Sequence, residues 1–208
     1  MNYRSVIQKY TIISCIFLFS IKLSSAQWSI GPLLDLNFAT SNLNTGSDGI
    51  GTRALLGIGL VTDHNINENL SIRLEPMYLL KGWRHKELNQ KYSASYIEIP
   101  ALVKYSLEID QNLTPYLLAG PSFGILLNGN IKFEDGDKAD RTDSFKKVDL
   151  GFGLGAGVEC SVSDYKVFAE LRYSIGVIDV NDVETIETKF RNRGLNIVLG
   201  TLFNFTKN

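Results

Sequence analysis

Residues 148–160 read Val148-Asp149-Leu150-Gly151-Phe152-Gly153-Leu154-Gly155-Ala156-Gly157-Val158-Glu159-Cys160. Apolar residues fill every second position, and the positions between them hold only Asp, Gly and Glu. A period of two is a strand pattern, because successive side chains of a strand point to opposite faces. The same alternation rules out a phosphate-binding glycine turn, since the run never leaves the strand period to open a helix. Four successive glycines on one face are the informative part. On a solvated sheet they would weaken the strand with nothing gained in packing. Facing the inside of a narrow barrel, they leave room for long side chains that reach across from other strands.

Seven further segments share the alternation: 27–38, 53–62, 70–81, 95–106, 115–127, 166–177 and 193–205. The breaks at 39–52, 82–94, 128–147 and 178–192 are long, whereas those at 63–69, 107–114 and 161–165 are short. Long connections on one rim and short turns on the other are the habit of an outer-membrane barrel, with its short turns in the periplasm. An even strand number then puts both termini on the periplasmic side.

The two faces differ in charge. One carries Trp28, Leu34, Leu36 and Phe38 in the first segment, Tyr78 in the third, Tyr105 in the fourth, Leu154 in the sixth and Leu199, Thr201, Phe203 and Phe205 in the last, and, counted from Leu195 onward in that last segment, no position on it is charged. The opposite face carries Asp35, Arg53, Arg73, Glu75, Lys81, Glu98, Lys104, Asp149, Glu159, Lys166, Glu170 and Arg172, six basic and six acidic. A soluble barrel of the lipocalin kind would turn the apolar face inward, and a membrane barrel would turn it to lipid. Gly31, Gly57, Gly59, Gly120, Gly124, Gly176, Gly194 and Gly200 join the four glycines of 148–160 on the charged face, which makes that face the crowded lumen. Trp28 and Phe38 are ten residues apart on the apolar face. At ~3.3 Å per residue and a tilt of ~40° this spans ~25 Å, the height of the apolar band between aromatic girdles. Trp28, Phe38, Tyr78, Tyr105, Phe203 and Phe205 are the expected girdle. The fold expected is therefore an all-β, eight-stranded antiparallel up-and-down transmembrane barrel spanning 27–206. Eight strands enclose an interior that side chains just fill, so the twelve charges are expected to neutralise one another as a structural plug. Arg73, Lys104 and Arg172 would then be held by Glu75, Glu98, Glu159 or Glu170, with Tyr96 and Tyr116 filling the rest.

The first 26 residues differ from the rest. Arg4 and Lys9 precede an apolar run from Thr11 to Ile21, and Ser24-Ser25-Ala26 supplies the small residues of a cleavage site, so 1–26 reads as a secretory signal peptide cut before Gln27. Cys15 does not end that run, which continues through Phe19, so it is not a lipidation site. The whole chain has 21 basic and 22 acidic residues. Removing Arg4, Lys9 and Lys22 leaves 18 against 22, a net charge of −4, which provides no cationic field for nucleic acid. One cysteine remains, Cys160, so no disulfide framework exists, and a lone thiol in an exported protein is expected to be buried. Beyond residue 26 no apolar run reaches the ~18 residues a helical span needs.

The stretch Tyr96-Ile97-Glu98-Ile99-Pro100-Ala101-Leu102-Val103-Lys104-Tyr105, followed by Pro115-Tyr116-Leu117-Leu118-Ala119-Gly120-Pro121-Ser122 and the glycine-rich strand, resembles the PorT-type outer-membrane β-barrel family of Bacteroidetes-like bacteria. The resemblance covers roughly 27–206 and implies an integral, porin-like, eight-stranded outer-membrane barrel; no cofactor is expected. Its namesake's association with protein secretion implies a partner in a secretion or envelope assembly, beside outer-membrane lipid and the barrel-assembly machinery. The chain departs from the usual aromatic terminus, since Thr206-Lys207-Asn208 follow Phe205.

Catalytic chemistry finds little support. His64 falls in a short turn and His85 in a long connection, so no metal cluster is spaced for binding. His85 with Glu87 and Ser93 or Ser95 could form a rim triad only by geometry that spacing does not supply. Glu134-Asp135-Gly136-Asp137, with Asp140 and Asp143, lacks the ligand spacing of a calcium loop and reads as a solvated, disordered connection. The chain is expected to be a non-enzymatic outer-membrane protein serving envelope structure, surface interaction or secretion. A small-solute pore is the alternative, and an outer-membrane lipid hydrolase is more remote.

Overall fold

The computed structural model describes residues 28–43, 49–107, 112–183 and 189–204. The expected signal peptide, 1–26, and Phe205 lie outside the described residues. The described residues form β1 (Trp28–Leu43), β2 (Ile50–Gly51), β3 (Arg53–Asn65), β4 (Leu70–Leu74), β5 (Met77–His85), β6 (Gln90–Ser106), β7 (Leu113–Lys132), β8 (Lys138–Asp140), β9 (Val148–Val162), β10 (Tyr165–Gly176) and β11 (Phe190–Asn204). Eight staves close into an antiparallel ring: β1, β3, the pair β4 and β5, β6, β7, β9, β10, and β11, which pairs back onto β1. Closure leaves no sheet edge unpaired, the condition for placing a sheet in hydrocarbon. The short strands β2 and β8 extend β5 and β7 at one end.

Followed from strand to strand, the register runs from Trp28 through His64, Ile72, Val103, Ala119, Leu154, Tyr173 and Leu195 and returns to β1 at Phe38. The offset is ten residues (38 − 28). Ten residues at ~3.3 Å against eight staves ~4.8 Å apart give a tilt of about 40°, inside the range for membrane barrels. With that tilt, Trp28, Tyr105 and Phe203 lie near the short-turn end, and Tyr78 and Phe38 lie about 20–25 Å higher. Leu34, Leu56 and Leu154 on the outer face are 57, 63 and 61% exposed, which is tolerable only where lipid covers them.

Several boundaries differ from the sequence reading. The segment 70–81 is interrupted at Glu75-Pro76, because Pro76 has no N–H for the ladder. The Leu60 amide donates to the Pro76 carbonyl at 3.0 Å and the Glu75 amide to the Pro100 carbonyl at 3.1 Å, so the stave remains paired across the break. Residues 82–94, expected as a loop, continue the hairpin of β5 and β6 and turn only at Lys86–Asn89, where Asn89 takes the left-handed conformation (φ 48°). The acidic stretch is likewise ordered. β8 folds back on β7, and the Asp140 carboxylate accepts the Thr142 amide at 2.9 Å and hydroxyl at 2.7 Å. These bonds hold Asp140 below the usual carboxylate range, the backbone bond contributing most. A bulge at Leu127, between the pairs Tyr96↔Leu126 and Ser95↔Asn128, shifts the parity of β7, so Gly129 turns inward above it. His64 belongs to β3 and its ring lies 4.4 Å from that of Trp28. Cys160 is half-exposed on the outer face. It shares parity with Val158, so it is only partly covered by protein where burial was expected.

Arginine at Leu154 or Leu199 is expected to destabilise the lipid-inserted barrel by about 2–4 kcal/mol, the cost of a guanidinium near the bilayer midplane. Urea unfolding in vesicles measures this. Equal stability of wild type and Leu154→Arg would mean that the outer face does not meet lipid.

Candidate functional site

The charged face of the staves forms a network across the lumen. In its lower half, nearer the short turns, Arg73 is fully buried. Its Nε and Nη2 donate to the two carboxylate oxygens of Asp63 at 2.7 and 2.9 Å, Nη2 also donates to Glu159 at 2.9 Å, and Nη1 donates to Glu170 at 3.3 Å. The guanidinium lies 4.6 Å from the Phe168 ring centre and 5.2 Å from that of Tyr116. Lys104 pairs with Asp63 at 2.6 Å and with Glu159. Arg172 clamps both oxygens of Glu75, at 2.7 and 3.0 Å, and donates from Nε to Glu170 at 2.6 Å. With Lys166, 3.5 Å from Glu159, the lower half holds four cations against four carboxylates. Bidentate, charge-assisted bonds of this kind are needed to offset the desolvation of so many ions.

In the upper half Lys81 bridges Glu98 and Asp149, and Asn192 donates to Asp149 at 2.8 Å. Asp35 has no cation within ion-pair distance among the described residues and instead accepts Asn196 Nδ2 on both oxygens at 2.9 Å. Arg53 stands at the upper rim, bonded to the Tyr92 carbonyl and the Ser93 hydroxyl. The expected pairing is therefore altered: Glu98 serves Lys81, and the centre of the lower network is Asp63, which the sequence reading had left in a turn. Its parity with Arg53, Gly57 and Val61 was the signal that could have found it, once the strand is carried past residue 62. Counting Asp63, the lumen has seven acidic and six basic groups among the described residues, so the expected even balance does not hold.

The glycines provide the space for this network. A Cβ at Gly157 would overlap the Tyr116 ring, one at Gly200 would lie 2.6 Å from Phe168 Cζ, and one at Gly153 would lie 3.2 Å from Arg172 Cδ. The interior is not wholly polar. Leu33, Val61, Met77, Leu79, Leu102, Leu118, Val198 and Leu202 are buried inside the ring and separate the charged groups. Among the described residues the lumen holds voids of about 20 and 10 Å³, each large enough for about one water.

Above Lys81 the lumen is capped by Trp83, Ala94, Tyr96 and Phe145, with Tyr92 and Phe190 packed against them. Trp83 stacks on Tyr92 at 4.9 Å and on Phe190 at 5.3 Å between ring centres. Of these aromatics, Trp83, Tyr92, Phe145 and Phe190 fall in segments read from sequence as loops, and Tyr96 in a strand. The rim residues weighed as a triad are bonded elsewhere: Ser93 accepts Arg53, Ser95 donates to the Asn128 carbonyl, and His85 Nδ1 accepts the Leu88 amide. Among the described residues no group of three His, Cys, Asp or Glu side chains is placed to hold a metal ion.

Comparison with known proteins is consistent with this geometry. A family model described as an outer membrane protein beta-barrel domain matches residues 20–182. Among solved structures, the chain is similar to the outer membrane protein OprG of Pseudomonas aeruginosa, with a TM-score of 0.56 and 11% identity over 88% of this chain and 97% of that one. It is also similar to Neisserial surface protein A, with 0.51 and 15% identity over 83% and 95%. The outer membrane protein AlkL, solved in DMPC bilayers, gives 0.54 and 11% over 88% and 91%. Identities this low speak to the fold alone. No curated protein matches the sequence.

Two outcomes test the network. Asp63→Ala and Arg172→Ala should each destabilise the folded barrel by roughly 3–5 kcal/mol, because each leaves buried partners uncompensated. Lys166→Ala, whose side chain is 36% exposed, should cost under about 1 kcal/mol. Equal losses in urea titrations of the three would contradict the burial argument. Separately, Gly157→Val should destabilise through the clash with Tyr116, and Tyr116→Ala in the same chain should recover part of that loss. Additive losses would show that the two sites do not compete for the same space.

Proposed function

Starting from the premise that this chain belongs to the outer membrane protein β-barrel domain family, we propose that it is a non-enzymatic, non-conducting membrane scaffold that presents its long connections at the cell surface. The observation that carries this reading is the filled lumen. Charged and apolar side chains occupy the cross-section from Lys104 to Trp83, and the voids left are of single-water size. Such a barrel serves as a rigid anchor, and its work falls to the rim. The periplasm receives the short turns and both termini, following the rule for short and long connections in these barrels. A leader at 1–26, cut before Gln27, would deliver the chain for export.

The resemblance of Tyr96–Tyr105 to the PorT-type family supports a place in an envelope or secretion assembly. In this chain the segment supplies the lumen with Glu98 and Lys104 and turns Ile97 and Ile99 outward. It thus contributes at once to the plug and to the lipid-facing belt. The remaining surface available to a partner is the long-connection rim, where β2 and β8 extend β5 and β7.

The purified wild-type protein in planar bilayers should give no steady conductance, and nanosiemens-scale openings would overturn the plugged reading in favour of the pore. In intact cells an epitope inserted at Asp135-Gly136 should be stained, whereas one at Ser163-Asp164 should need permeabilisation. The reverse pattern would invert the orientation.

A further inference from the structure

Above the aromatic cap, β2, the β5–β6 hairpin, residues 131–145 and residues 180–183 line a cavity of about 520 Å³, a size typical of pockets for small molecules, ~300–1,000 Å³. Its floor is the stack of Tyr92, Trp83 and Phe190, and Phe145 stands edge-on to Trp83 with 6.0 Å between ring centres. The walls are pre-formed. The Lys146 amide donates to the Val180 carbonyl at 2.9 Å and the Asp182 amide to the Ser144 carbonyl at 3.1 Å, which zips the 133–147 and 177–183 connections together across the cavity. Gly129 admits Phe145, since a Cβ there would lie 2.6 Å from Phe145 Cδ2. From below the cavity is sealed by the cap and the lumen network, so it is a blind pocket and leads to no channel.

Among the described residues that line the cavity, Arg141 and His85 are the ionisable cations and no side chain is acidic. The Arg141 side chain has no carboxylate within ion-pair distance among the described residues. Nearby acids are engaged: Asp140 holds Thr142, and Asp179 lies 3.8 Å from Lys146 and accepts the Phe190 amide. We propose that this cavity is a binding site for a small aromatic or aliphatic molecule bearing one anionic group. The apolar body would lie on the Trp83 stack, with the anionic group against Arg141. An aromatic floor provides burial and face-to-face contact, and a guanidinium at the rim provides a charge-assisted contact that a cationic or uncharged analogue cannot make.

Trp83, on β5, is one of two tryptophans, the other being Trp28 at the start of β1 near the short turns. In a Trp28→Phe background it is the sole indole reporter. The protein folded in lipid nanodiscs is titrated with 4-phenylbutyrate and, separately, with 4-phenylbutylamine, with Trp83 emission as the readout. The carboxylate should produce a saturable change, and the amine a weaker one. Arg141→Glu, an exposed position, should weaken carboxylate binding by roughly tenfold or more, the loss of a charge-assisted contact. Should that variant fold poorly, Arg141→Gln provides the same comparison. A response that rises linearly like partition into lipid, equal binding of amine and carboxylate, or an unchanged titration in both Arg141 variants would overturn the site. Heat-modifiable migration of every variant, checked beforehand, separates failure of the pocket from failure of the barrel.

Discussion

The interior of this barrel is organised by one fully buried guanidinium. Arg73 on β4 reaches Asp63 on β3, Glu159 on β9 and Glu170 on β10, so a single side chain ties staves on opposite sides of the ring. A charge in that position is tolerated only when its donors are nearly all used, since an unpaired buried ion costs several kcal/mol. The demand propagates outward. Asp63 and Glu159 also bind Lys104, and Glu170 also binds Arg172, which in turn holds Glu75. The register of the ring is thereby coupled to the network, because a shift of one residue in any of these staves would turn its carboxylate or cation toward lipid.

That arrangement requires a lumen wide enough for long side chains yet too narrow to leave water. An eight-stave ring with an offset of ten residues has little interior to spare. Glycine resolves the conflict: opposite Tyr116, Phe168 and Arg172 stand Gly157, Gly200 and Gly153, positions where any side chain would displace a member of the network. The glycine-rich face of β9 is thus the negative of the bulky groups on β7 and β10.

The upper end follows a different principle. There the cation count falls behind, Asp35 relies on Asn196, and closure passes from ion pairs to stacked aromatics around Trp83. The change separates two tasks. The lower network fixes the barrel, whereas the aromatic cap both seals the lumen and forms the floor of a cavity shaped by the connections. Since loops carry function on rigid scaffolds, a sealed barrel with a structured rim concentrates chemistry at that rim.

The sequence by itself determined the barrel. Strict alternation over eight segments, an apolar face without charge and glycines gathered on the charged face follow from period-two geometry and from the absence of water in lipid, both of which act residue by residue. Of the twelve charges that this logic set on one face, ten are ion-paired with one another in the folded chain, Asp35 is held by Asn196, and Arg53 stands at the rim. Three things were decided only by the tertiary structure. Asp63 was hidden because strand ends are set by cross-strand pairing, and β3 runs on to Asn65 only because β1 and β4 are there to pair with it. The partners of each charge depended on the ten-residue offset, a property of the closed ring that no single segment carries. The cap of Trp83, Tyr92, Phe145 and Phe190 brings together residues up to 107 positions apart (190 − 83), and its inward turn at Gly129 depends on a bulge in β7. A bulge leaves the hydrophobic pattern nearly intact while reversing which face each later residue occupies, so only the folded chain could reveal it.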